Sequence, residues 1–208
     1  MKIIIIANAE QEQEITQKAT NEQVELIINN EFPATGELQN AEAIFILNQN
    51  ISSINFNNLS GKPIFINSVI DTLSELKLPK NVSRINGWPG FLQRETWEIA
   101  SENKNESTTV FERLGWKIIF VKDEPGFVAA RVISRIINEA FFAFEEKVSS
   151  IEEIDQAMKL GTNYPFGPFE WAEKIGVKNL VTLLNKLSEK DKSYQPSDAF
   201  LNLLEPNN

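Results

Sequence analysis

The 208-residue chain contains no cysteine and no histidine. Without cysteine there are no disulfides, thiolate metal sites or cysteine nucleophiles. Without histidine the chain lacks the commonest general base near neutral pH and the commonest nitrogen ligand for metals. Positive charge is also in short supply: 20 Lys and Arg face 29 Asp and Glu, a net charge of −9. That balance argues against nucleic acid and anionic membrane as partners. The first 50 residues carry eight glutamates against only Lys2 and Lys18. No apolar run is long enough to span a bilayer. Met1 to Ala7 opens like a signal peptide, but its apolar run is short and glutamates follow at once, so the expected location is the cytoplasm.

The hydrophobic fraction of 42% is enough for a proper core. Residues 2–7 form a continuous apolar run, the pattern of a strand buried on both faces of a parallel sheet. Val24–Ile28, Ala43–Leu47, Pro63–Ile66 and Lys117–Val121 read as further strands, with short helices at Glu10–Thr20 and Ser107–Leu114. Strands alternating with short helical stretches imply an α/β sheet, mostly parallel. After Pro125 the period changes. Gly126 to Lys147 carries two apolar stripes, Val128, Val132, Ile136 and Ala140, then Ile133, Ile137, Phe141 and Phe144. Such a helix is buried on more than one side, in a bundle or at a dimer interface. Ser150 with Glu153 is a capping box for the next helix, which Gly161 is expected to end. Two domains follow, 1–122 and 123–208.

The second of these resembles the helical domain of the 3-hydroxyacyl-CoA dehydrogenase family. The resemblance rests on Asp123-Glu124-Pro125-Gly126-Phe127-Val128, Arg131 and Asn138-Glu139-Ala140. It continues through Ile154 to Gly161, Tyr164 to Glu170, and Gln195-Pro196-Ser197. Pro63 to Ser68 and Arg84 to Ala100 are similar to the family's N-terminal domain, although the stretch before Asn86 is several dozen residues shorter. The resemblance implies a shortened Rossmann-like domain followed by an all-α domain that pairs into a homodimer. It also implies NAD as cofactor and an acyl-CoA as ligand, in fatty acid metabolism.

The family's site residues fall on Asn86 (its histidine), Glu98 (its glutamate), Ser68 and Ala130 (its substrate-side asparagine). A His–Glu pair takes the hydroxyl proton while hydride leaves; a carboxamide cannot do so, and a lone serine is not a base. Glu98 is then a structural or vestigial carboxylate. A dinucleotide fold needs glycines after its first strand so that pyrophosphate can approach a helix N-terminus. Here that turn reads Ala7-Asn8-Ala9-Glu10-Gln11-Glu12, the first glycine is Gly36, and Asn29-Asn30 stand where a ribose-binding acid ends the second strand. No catalytic set is intact and no cofactor is expected. The reading is a catalytically inactive relative, a pseudoenzyme that binds acyl-CoA or a partner protein; the alternative is an active NAD-dependent 3-hydroxybutyryl-CoA dehydrogenase using another base. Tyr164, Phe166, Phe169 and Trp171 read as either an acyl pocket or packed core, and Trp88-Pro89-Gly90 as a tight exposed loop.

Overall fold

A computed structural model describes residues 1–59 and 61–204. The chain forms two compact units, Met1–Phe127 and the segment from Val128 onward.

The first unit is one seven-stranded sheet of order β2-β1-β3-β4-β5-β6-β7. Its strands are β1 (Lys2–Ile6), β2 (Glu25–Asn29), β3 (Ala43–Ile46), β4 (Ile64–Asn67), β5 (Val82–Ile85), β6 (Thr96–Ala100) and β7 (Lys117–Phe120). β1 to β5 are parallel; β6 runs antiparallel to β5, and β7 parallel to β6. The run Ile3–Ile6 is fully buried, as a strand covered on both faces must be. Ile3 and Ile5 join Phe45, Phe65 and Phe111 on one face; Ile4 and Ile6 join Leu38, Phe56 and Leu59 on the other. Burying each of those isoleucines contributes about 1.5–3 kcal/mol. Among the described residues four α-helices lie between the strands: α1 (Ala9–Thr16), α2 (Thr35–Gln39), α3 (Leu73–Leu76) and α4 (Lys104–Leu114), the last ended by left-handed Gly115.

Two of these strands, β5 and β6, lie beyond the set the sequence pattern picks out. Val82-Ser83-Arg84-Ile85 carries a serine and an arginine inside a fully buried strand, and that polarity hides it. The fold makes the arginine tolerable. Arg84 Nε donates to Ser68 O (2.8 Å), Nη2 to Val69 O (3.2 Å), and Nη1 to the Asp123 carboxylate, while Phe127 lies 4.6 Å beneath the guanidinium. Burial pulls the Arg84 pKa below its ordinary value and the Asp123 hydrogen bond opposes that shift. This anchor, with Gly126 N donating to Val69 O, ties residues 123–127 to the sheet, so the first unit runs five residues past 122.

The second unit is all-helical: α5 (Ala129–Glu145), α6 (Ile151–Thr162), α7 (Pro168–Ile175), α8 (Val177–Ser188) and α9 (Asp198–Asn202). α5 supplies the spine, packing on α7, α8 and α9. Of its two stripes, Ile133, Ile137 and Phe141 are buried with Ala140, whereas Val128 and Val132 are 57% and 51% exposed. The Ser150–Glu153 capping box forms as expected. Gly161 does not stop α6. Asn163, at a left-handed φ of 55°, is the C-cap two residues on, a conformation Asn adopts more easily than most side chains. Among the described residues no helix is long and apolar enough to cross a membrane.

Candidate functional site

The sheet ladder sorts the candidate residues. Ile66 pairs with Arg84, Asn67 with Ile85, and Ile85 with Ile99. β4 ends at Asn67 and β5 at Ile85, so Ser68 and Asn86 each follow a strand end, and Glu98 stands in β6 next to the Ile85–Ile99 pair. The antiparallel direction of β6 brings a residue twelve positions later back toward the end of β5. Three of the four candidates therefore gather in a row at the ends of β4 and β5. Ala130, the fourth, is fully buried in the helical unit.

Ser68 Oγ donates to Asp71 O (2.8 Å). Asn86 is 6% exposed; its Oδ1 accepts from Trp88 N (3.3 Å), while its Nδ2 is buried with no hydrogen-bond partner. Asn67, one position before Ser68, donates from Nδ2 to Leu47 O (3.0 Å) and accepts from Gly87 N (3.0 Å). Gly87 has to be glycine here, because a Cβ would stand 2.8 Å from Asn67 Cγ. Trp88 is buried, not exposed: Gly90, Leu92 and Gln93 donate their backbone N–H groups to the Glu14 carboxylate, which draws the loop against α1.

The same helix closes the crevice where the strand order reverses, between the C-terminal ends of β1 and β3, the place where such sheets bind ligands. Asn8 Oδ1 accepts from Gln11 N (2.9 Å), and Gln11 Oε1 accepts from Asn8 N (3.1 Å). The buried Gln11 amide then spans the crevice, donating to Leu47 O (3.1 Å) and Gly87 O (3.2 Å). Glu10 and Glu12 put two carboxylates in the first turn, where a phosphate would meet them. Asn29 ends β2 with an amide whose Nδ2 has no partner, in place of an acid that would accept from ribose hydroxyls. These residues do not fit a dinucleotide pyrophosphate. Among the described residues no group of three or more acidic side chains could hold a metal ion.

Three functional-looking groups escaped the sequence reading: Arg84, Gln11 and Glu14. All are polar residues whose burial only the assembled sheet reveals. In the helical unit the family-like residues turn out to be braces. Asn138 donates to Gln195 O (2.8 Å) and accepts from Ser197 N (3.0 Å), tying α5 to the approach of α9. Asp155 caps α7 through Phe169 N (2.8 Å) and Glu170 N (3.2 Å). Trp171 is buried, Phe166 packs on it edge-on at 5.0 Å, and Phe169 lies 4.7 Å from Phe141.

Residues 126–208 match the family model for the 3-hydroxyacyl-CoA dehydrogenase C-terminal domain. A probable 3-hydroxybutyryl-CoA dehydrogenase from Deinococcus radiodurans is 31% identical over 186 residues, covering 84% of this chain and 62% of that protein. A 3-hydroxybutyryl-CoA dehydrogenase from Clostridioides difficile is 43% identical over 126 residues, 58% of this chain and 45% of its own length. The chain thus spans less than two thirds of these relatives. In fold it is similar to the (S)-3-hydroxybutyryl-CoA dehydrogenase structure from Ralstonia eutropha, at a TM-score of 0.68 and 21% identity over 87% of this chain and 69% of that one. Residues 126–208 thus belong to the C-terminal domain family of the 3-hydroxyacyl-CoA dehydrogenases, and the chain as a whole is similar to members of that family.

Proposed function

We propose that this chain is a 3-hydroxyacyl-CoA dehydrogenase relative that does not carry out hydride transfer and serves as an acyl-CoA-binding or interaction protein. Its setting is acyl-thioester metabolism in the cytoplasm, and it assembles as a homodimer through its helical unit. The observation that carries this reading is the turn after β1, where Asn8 and Gln11 cap each other and the Gln11 amide fills the crevice. Hydride has no acceptor without a bound nicotinamide. The row of Ser68, Asn86 and Glu98 supports the same conclusion: oxidation of an alcohol needs a group that takes the hydroxyl proton, and a carboxamide does not take one in water.

A second reading, an active NAD-dependent dehydrogenase, draws on the Deinococcus relative, whose match runs through both units. It would require Glu98 itself to accept the proton. Two measurements separate the readings. Tryptophan-to-NADH fluorescence transfer should show no saturable binding at micromolar concentration. Mixing the protein with 3-hydroxybutyryl-CoA and NAD should produce no reduced nicotinamide, and neither should Asn86→His/Ala130→Asn, because a base accelerates only a positioned pair of reactants. Turnover by the unaltered protein above the blank would overturn the inactive reading. Turnover by the double variant alone would show that the cofactor turn still works.

A further inference from the structure

β2 closes one side of the sheet, where a doubly wound fold ordinarily carries a further strand outside the second. Glu25 N donates to Met1 O (2.8 Å) and Asn29 O accepts from Ala7 N (2.9 Å), so Glu25, Ile27 and Asn29 face β1. By the alternation of a strand, the N–H and C=O groups of Leu26 and Ile28 point outward. Among the described residues no strand takes them. The side chains here are apolar and half-buried: Leu26 and Ile28 pack on one core face, Ile27 on the other. Edges of this kind invite pairing, and proteins usually blunt them with lysine, proline or a bulge. Between Glu25 and Asn29 there is none of these.

Charge decides what fits there. From Ala19 to Gly61 the chain has no Lys or Arg, but it has Glu22, Glu25, Glu31, Glu37 and Glu42. Glu22, Glu25 and Glu31 flank the edge, all exposed, and among the described residues none of the three forms an ion pair. A second copy laid antiparallel on β2 would bring the same carboxylates to both ends and no cation from this stretch. Like charges on facing strands repel. We propose that the outer edge of β2 is a strand-addition site for an extended segment of a partner protein, apolar on one face and bearing lysine or arginine on the other. This rests on the interaction-protein reading above. Backbone hydrogen bonds to Leu26 and Ile28 supply the pairing, and Glu25 with its neighbours selects the charge.

The test titrates the isotope-labelled full chain with a capped peptide of about seven residues, a usual strand length, alternating valine and lysine. A matched peptide alternating valine and glutamate is the control. The lysine peptide should shift the Leu26 and Ile28 amide signals saturably and slow their hydrogen exchange, and the glutamate peptide should do neither. Its affinity should fall severalfold as the Debye length drops from about 10 Å at 0.1 M salt to about 3 Å at 1 M. Ile28→Pro removes an outward donor without costing a bond to β1, as proline on an edge strand can, and should abolish binding. Glu25→Lys/Glu31→Lys alters only exposed positions and should transfer the preference to the glutamate peptide, which keeps the test decisive if the proline disturbs the fold. Absence of a saturable shift, equal binding of both peptides, or a preference indifferent to Glu25→Lys/Glu31→Lys would overturn the inference. A shift of the same two amides with protein concentration alone would give the edge to a second copy and overturn it too. None of these outcomes touches the NADH measurements, which judge inactivity separately.

Discussion

Arg84 shows what a single buried charge does in this sheet. Its side chain is wholly buried, and Asp123, 29% exposed, is its counter-ion. Asp123 also accepts from Leu73 N (3.1 Å) and Ser74 N (3.3 Å), so the same carboxylate that neutralises Arg84 caps α3. Removing the guanidinium leaves the Ser68 carbonyl without its donor and a carboxylate without its cation. Arg84→Met should therefore cost about 3–5 kcal/mol of unfolding free energy, the range for breaking a buried pair from one side. Urea denaturation followed by tryptophan fluorescence measures it; a loss below about 1 kcal/mol would mean the pair is relieved by solvent. No sequence pattern announces this residue, because an arginine between Ser83 and Ile85 looks like a loop until β4 and β6 close over it.

Elements in this chain were legible where one period dominates and hidden where tertiary contacts supply the partner. The isoleucine run of β1 and the apolar stripes of α5 declare themselves, and so does the Ser150–Glu153 box. β5 and β6 do not, and neither does the role of α1, whose sequence is polar and whose buried face is Gln11, Glu14 and Ile15. The candidate row was readable only through family resemblance; the antiparallel β6 that assembles it has no local signature. The start of α7 gives the same lesson in testable form. Gly167 has no side chain to cap the helix, so Asp155 reaches across from α6 to do it, and a Cβ on Gly167 would lie 2.3 Å from Asp155 Cγ. Gly167→Ala should cost about 1–3 kcal/mol as an overpacked site. In an Asp155→Ala background, itself about 1 kcal/mol less stable for want of the cap, the same glycine change should cost less than half as much. Additive costs in the four-way thermal or urea comparison would refute that coupling.

The same helix start carries a pH dependence. Lys159 first, then the Gly167 N–H (2.9 Å), hold the Glu170 carboxyl below its ordinary pKa of 4.5. A depressed carboxylate stabilises the fold above its unfolded pKa, and that contribution is lost as pH falls through the lower folded value. Glu170→Gln should therefore be less stable than the unaltered protein at pH 7, with the gap closing only below the ordinary carboxylate range. Thermal unfolding of both proteins across the acid range checks it; a gap that does not change with pH would assign the effect to packing.

At the scale of the whole molecule, the apolar surface that remains is concentrated on the helical unit. Val128, the N-cap of α5, and Val132, one helical turn into it, are more than half exposed, and Val148 and Leu160 are 69% and 79% exposed. Scattered exposed hydrophobes need no explanation, but two on consecutive turns of the unit's spine form a seam that a second copy can cover symmetrically. The proposed homodimer is tested there and not at Phe141. Phe141 stacks on Phe200 at 4.2 Å inside the core, so a charge at that position would unfold the unit and say nothing about association. Val132→Glu instead places a carboxylate on the exposed stripe, where a folded monomer tolerates it. Light scattering at tens of micromolar, roughly the range in which an ordinary dimer is populated, should give twice the chain mass for the unaltered protein. Val132→Glu should give a single chain mass with an unfolding temperature lower only by the lost association, and that temperature should no longer rise with protein concentration. A monomeric unaltered protein, or a dimer indifferent to Val132→Glu, would remove α5 from the interface.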